Sequence, residues 1–131
     1  MSKEERKKAR QWAKINLPEF GKLYSIGIVQ FKEIKYCRSD VKTITGKPHI
    51  DADSLYKQIH KLPELLKDAL YLGSSPDDEK HSEIILWLYF SFEINNKPSY
   101  FNIMQTKKGE FRIHSISDEK GFDKDKIKNK V

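Results

Sequence analysis

Ile84-Ile85-Leu86-Trp87-Leu88-Tyr89-Phe90-Ser91-Phe92-Glu93-Ile94 is the stretch that decides the fold. Read with a period of two, Ile84, Leu86, Leu88, Phe90, Phe92 and Ile94 fall on one face of a strand. That face is wholly apolar, so other elements have to cover it. The uninterrupted apolar part, from Ile84 to Phe90, is far too short to span a bilayer. Asn95-Asn96 comes next, a pair that tolerates positive φ and suits a two-residue hairpin turn. Lys108-Gly109 marks a second hairpin. The pattern predicts three antiparallel strands over residues 84–94, 97–106 and 110–117.

Towards the N-terminus, residues 70–72 read as a brief strand and residues 73–80 as an exposed loop. Residues 64–69 form a short helix with Pro63 in its first turn. Asp51 or Asp53 caps another helix, with Leu55, Ile59 and Leu62 among its apolar positions. Residues 35–47 are polar and basic and close in the turn-like Gly46-Lys47-Pro48. Residues 23–36 look extended, with Gly27 as a candidate bulge. Residues 3–17 carry Ala9, Trp12, Ala13 and Leu17 on a narrow apolar stripe, a helix ended by Pro18 and Gly21. The order predicts an α+β fold, with N-terminal helices packed on one face of a four- to five-stranded, mainly antiparallel sheet. A length of 131 residues is enough for a single domain, closed by a lysine-rich tail from Lys120 that can fray.

Two-residue turns would fix the register of the meander. Phe90 then faces Phe101, and Leu88 faces Ile103, so the core face continues across the strands. The opposite face carries Tyr89, Ser91, Glu93, Tyr100, Asn102, Ser115 and Ser117. Hydroxyls, an amide and a carboxylate on one open sheet face make a candidate site, and equally an ordinary solvated face.

Charge points to a class of partner. The net charge is +6 with a pI near 9.3. It is unevenly placed: residues 1–50 hold 12 Lys/Arg against 5 Asp/Glu, residues 51–119 hold 8 against 12, and residues 120–131 hold 5 against 2. Such a field favours a polyanion, nucleic acid first among them. Lysine-rich surfaces also serve solubility alone, and Arg, the better phosphate fork, contributes only four cations. The N-terminus lacks the apolar run of a signal peptide, and a single cysteine, Cys37, excludes an internal disulfide and a cysteine-based zinc cluster.

His114, in Phe111-Arg112-Ile113-His114-Ser115-Ile116-Ser117, is the first candidate for proton transfer, since imidazole titrates nearest neutrality. Arg112 lies two residues away on the same strand face, where it could stabilise developing phosphorane charge. The simple register sends both to the core face. A longer second turn, a bulge or a rim position would release them. A histidine in a strand is more often packed or hydrogen-bonded than catalytic. Lys35, Arg38, Lys42 and Lys47, interleaved with Ser39, Thr43 and Thr45 and followed by His49, could offer charge and hydroxyls from one extended face to a phosphate backbone. The same stretch reads equally as a solvated loop. Trp87, Tyr89 and Tyr100 could stack bases. His60 and His81 look like surface residues. No histidine pair has zinc-helix spacing, and no carboxylate cluster, glycine-rich phosphate loop or nucleophile elbow is present, so no metal or nucleotide cofactor is expected.

The passage from Lys8-Ala9-Arg10-Gln11-Trp12-Ala13-Lys14-Ile15-Asn16-Leu17, through Leu62-Pro63-Glu64-Leu65-Leu66-Lys67-Asp68-Ala69 and Leu70-Tyr71-Leu72-Gly73, to the strand Phe111 to Ser115 resembles nuclease domains of the barnase–EndoU–colicin–RelE fold. Such domains occur in phage and mobile-element polyproteins and bacterial polymorphic toxins, usually at the end of longer polypeptides. The resemblance implies a ribonuclease-toxin-like domain that cleaves RNA, tRNA included, without metal by attack of the ribose 2′-OH. It implies action in the cytoplasm after delivery, neutralisation by an acidic cognate immunity protein, and no membrane partner. It assigns acid–base work to His114, with His49 as a second histidine. Phosphorane stabilisation falls to Arg112 with a lysine from Lys35, Lys42 or Lys47, and phosphate orientation to Ser115. Arg38 and Tyr100 would add RNA contacts. The alternatives are a non-catalytic RNA- or protein-binding accessory module of a phage or mobile element, and a binder of an acidic protein.

Overall fold

The computed structural model describes residues 1–19, 24–26, 29–31, 34–46, 48, 50–77 and 83–130. Helix α1 (Lys3–Asn16) starts at a capping box: the Ser2 hydroxyl accepts from the Glu5 amide, and the Glu5 carboxylate accepts from the Ser2 amide. Its apolar stripe buries Ala9 and Ala13 and continues into Leu17, in a short 3₁₀ turn over Leu17–Glu19. Strands β1 (Tyr24–Ile26) and β2 (Val29–Phe31) pair antiparallel, and β3 (Ile34–Lys35) joins the main sheet. Helices α2 (Arg38–Gly46), α3 (Ala52–Lys57, capped by Asp51) and α4 (Leu62–Lys67, with Pro63 in its first turn) come next. The strands β4 (Leu70–Pro76), β5 (Ile84–Ile94), β6 (Lys97–Thr106), β7 (Phe111–Asp118) and β8 (Asn129–Lys130) complete the chain.

The main sheet has six strands in the order β3-β7-β6-β5-β4-β8, all antiparallel except the β3–β7 pair. The α+β expectation holds, but the sheet has six strands and not four to five, because the short edge segments β3 and β8 join the four longer strands. One core joins Ala13, Leu17, Val41, Leu55 and Leu62 from the helical part to Leu88, Phe90, Phe101, Ile103, Ile113 and Ile116 from the inner sheet face. The apolar face of β5 is thus covered from Leu86 to Ile94, whereas a register shift between Ile84 and Leu86 takes Ile84 out of the alternation and out of the core. No helix among the described residues is long and apolar enough to cross a membrane.

Three departures from the sequence expectation shape the molecule. The basic stretch expected to be extended is helical from Arg38 to Gly46, because Val41, Ile44 and Thr45 share one buried face at helical spacing. Thr43 and Thr45 return their hydroxyl hydrogens to the carbonyls of Ser39 and Val41, so they no longer offer hydroxyls along a strand. Strand β4 runs on to Pro76 through residues expected in a loop, burying Ser74 and Ser75 beside β5. Lastly, the chain after residue 120 returns to the sheet instead of leaving it. Ile127 is buried, the Lys128 amide donates to the Ser74 carbonyl, and β8 pairs with β4. We call residues 119–130 the strap.

Candidate functional site

The two hairpins decide what the open sheet face displays. Asn95 and Asn96 both take positive φ (52° and 61°), and Ile94 pairs with Lys97 across the expected two-residue turn. The second turn is longer by one residue. Glu110 pairs with Thr106, Gly109 has φ 85°, and Gln105 faces Phe111. That shift places Arg112 opposite Met104, on the open face. A β-bulge then restores the original register: Ile103 faces Ile113, but Asn102 faces Ser115, leaving His114 as the extra residue. His114 and Ser115 therefore both face outward, while Ile113 and Ile116 remain in the core. The bulge and longer turn resolve the register conflict that sent His114 and Arg112 inward.

Around His114 lies a cleft of about 380 Å³, within the roughly 300–1,000 Å³ of small-molecule sites. Its floor is the open face: Trp87 and Tyr89 from β5, Asn102 from β6, His114, Ser115 and Ser117 from β7, and Ser75 from β4. The end of β4 with Asp77 makes one wall, and Phe122, Asp123 and Lys126 of the strap make another. The polar floor is an ordered network. The Asn102 amide nitrogen donates to the Ser115 hydroxyl (3.0 Å) and to the Ser117 hydroxyl (2.8 Å). Ser75 and Tyr89 share a hydrogen bond of 2.8 Å, and the Trp87 indole donates to Asp77 at 3.1 Å. Trp87 meets the His114 ring edge-on at 5.2 Å. Phe122 stacks on Tyr100 at 4.0 Å and meets Tyr89 edge-on at 5.5 Å, pinning the strap over the sheet.

The other sequence candidates are scattered. Arg112 shares the open face, but its guanidinium turns to α2, where Nη2 lies 3.0 Å from Asp40 and Nε donates to the same carboxylate. Asp40 is itself buried, which raises its carboxyl above the usual range although Arg112 and, more weakly, His114 pull it down. Lys35 pairs with Glu110 at 3.0 Å on the sheet edge, and this bond lowers the Glu110 carboxyl. Arg38 and Lys42 are exposed one turn apart on α2. Tyr100 is buried beneath Phe122, so that face of its ring is occupied. Lys47, His49 and His81, together with Gly21 and Gly27, lie outside the described residues. His60 packs against Trp12 with the rings tilted, their centroids 4.3 Å apart. Among the described residues, no group of three or more His, Cys, Asp and Glu side chains is placed to hold a metal ion.

No protein-family model, curated protein or solved structure matches the chain. What the cleft can do follows from its own chemistry. Ser75, Asp77, Phe122, Asp123 and Lys126 belong to it, yet sequence reasoning passed them over because they come from segments read as loop and tail. Phe122 and Ile127, apolar residues amid lysines, are the signal that the tail has something to pack against.

Proposed function

We propose that this protein is a metal-independent endoribonuclease and that the open-face cleft is its RNA site. The observation that carries the reading is the bulge that turns His114, with Ser115, into a cleft floored by hydroxyls, an amide and aromatic rings. A strand of RNA supplies complementary groups: flat bases for the rings, and phosphate for Lys126 and the hydroxyls. Of the exposed strap lysines, Lys126 lines the cleft, beside the carboxylates of Asp77 and Asp123.

In this reading the His114 imidazole takes the proton of the ribose 2′-OH. The 2′-oxygen bonds to phosphorus, the bond to the 5′-oxygen breaks, and water protonates the leaving oxygen. The products are a 2′,3′-cyclic phosphate and a 5′-hydroxyl. Lys126 faces the charge that develops on the phosphorane, and Ser115 orients a non-bridging oxygen. Arg112, engaged by Asp40, acts as a strut between α2 and β7 and reaches substrate through neither of its bonds.

The test is incubation of wild-type and His114→Ala protein with total RNA and a defined tRNA pool in EDTA. We expect cyclic-phosphate products from wild type and a fall of roughly 10²–10⁴-fold in the variant. Equal cleavage by both would remove His114 from the reaction. Intact RNA with wild type would leave the cleft as a binding site and remove the enzyme.

A further inference from the structure

The bulge that turns His114 outward also loosens it. As the extra residue of β7, His114 has no facing residue on β6, and its side chain is exposed. The torsion about its Cβ–Cγ bond is intrinsically broad, so strand geometry alone does not decide the plane in which the ring nitrogens lie. Trp87 supplies that constraint. It stands on β5 opposite Met104, the same β6 residue that Arg112 faces from β7. Indole and imidazole meet over the middle strand with centroids 5.2 Å apart and planes at 81°, so turning the imidazole out of its plane breaks an edge-on ring contact. The indole is itself held. Its Nε1–H donates to Asp77, just beyond the end of β4, at 3.1 Å. Asp77 thus reaches His114 through Trp87, and all three side chains line the cleft. Trp87 takes no part in the hydrophobic core, so packing of the core does not account for where its ring lies.

We infer that Trp87 and Asp77 are positioning residues for His114. Asp77 fixes the indole through its N–H, and the indole fixes the plane of the imidazole, so that a ring nitrogen is directed at the ribose 2′-OH. This role rests on the ribonuclease reading of the cleft and deepens it. Neither residue exchanges a proton with the substrate. Orienting the base in advance removes a rotation that each turnover would otherwise have to freeze, which raises kcat and leaves substrate affinity alone. The charge of Asp77 acts on affinity in the opposite sense, because a carboxylate in the cleft wall repels phosphate. Truncating Asp77 should therefore lower kcat while KM stays level or drops, a pattern that loss of a substrate-binding group does not give.

The test compares wild type with Asp77→Ala, Asp77→Asn and Trp87→Leu. Asn keeps an oxygen acceptor for the indole but, like Ala, removes the charge. The first arm is NMR relaxation of isotope-labelled histidine in the free protein without RNA, with His114 assigned by the signals that vanish in His114→Ala. We expect cross-relaxation between the Trp87 and His114 ring protons and a restricted imidazole in wild type. The ring should become mobile in Asp77→Ala and Trp87→Leu and stay close to wild type in Asp77→Asn. The second arm is cleavage, in EDTA, of a short single-stranded RNA that wild type cuts. There kcat should fall on the order of tenfold in Asp77→Ala, with KM level or lower, and Asp77→Asn should recover most of that loss. An imidazole as ordered in Asp77→Ala as in wild type would overturn the inference. Equal loss of kcat in Asp77→Ala and Asp77→Asn would overturn it too, by assigning the effect to charge. Ring order that depends on Asp77, in a protein that leaves RNA intact, would support the positioning of His114 and end the nuclease reading.

Discussion

At the scale of single residues, two carboxylates show how position sets the sign of a pH effect. Burial raises the Asp40 carboxyl in spite of Arg112, so the fold favours its protonated form. Its contribution to stability is then fully present below the ordinary Asp range and is lost as pH rises through the raised value. Glu110 is the opposite case: the bond to Lys35 lowers its carboxyl, so its contribution is present above the ordinary Glu range and is lost as pH falls through the lowered value. Urea denaturation of wild type, Asp40→Asn and Glu110→Gln at a series of pH values checks both signs. The stability of wild type relative to Asp40→Asn should fall as pH rises from strongly acid to neutral, and relative to Glu110→Gln it should rise. A gap that widens for Asp40 instead would mean that Arg112 outweighs burial. His114 teaches a related lesson. Its type and strand were readable from sequence, but its direction depends on one extra residue in the ladder, and a bulge has no composition that announces it.

At the scale of elements, the strap turns a flat sheet face into a cleft. Its docking depends on Gly73, whose φ of 141° and lack of Cβ let the strap pass. A Cβ there would run into the Asn129 carbonyl and the Ile127 side chain. Gly73→Ala should therefore detach β8 and cost about 1–3 kcal/mol. The measurement is amide hydrogen exchange: protection of Lys128, whose amide donates to Ser74, should drop while that of the β5–β6 amides persists. Nucleotide binding should weaken in the same variant, because Phe122, Asp123 and Lys126 leave the cleft. The elements of the meander were legible in the alternation of residues 84–94 and in Asn95-Asn96, since period and turn chemistry are local. Helix α2 was not. Its run of Ser, Thr and Val is a weak helix former, and the helix exists because Val41, Ile44 and Thr45 find a core to enter.

At the scale of the whole molecule, one core holds both the helical layer and the sheet, and Phe101 lies fully buried within it, stacked on Phe92 at 4.1 Å. Phe101→Ala should cost about 3–5 kcal/mol. Against a domain stability of roughly 5–15 kcal/mol this shifts the denaturation midpoint far enough to be read directly from a urea curve. A loss below about 1 kcal/mol would mean that the two layers do not depend on that ring. Charge also has an arrangement at this scale. The sequence places positive charge at both ends of the chain, and the fold brings Lys126 to the cleft through the strap, whereas Arg38 and Lys42 of the N-terminal part stand on α2.

The α+β class, the three long strands, their inner apolar face and the open-face set of Tyr89, Tyr100, Asn102, Ser115 and Ser117 were legible along the chain. These follow from side-chain period, which is written residue by residue. The outward turn of His114, the engagement of Arg112 by Asp40 and the closing of a cleft by the tail come from packing instead. Each of these depends on contacts between segments far apart in the chain: Arg112 with Asp40, Ser74 with Lys128, Tyr100 with Phe122. Local pattern carries no record of such pairings, because their free energy arises only when packing brings the partners together.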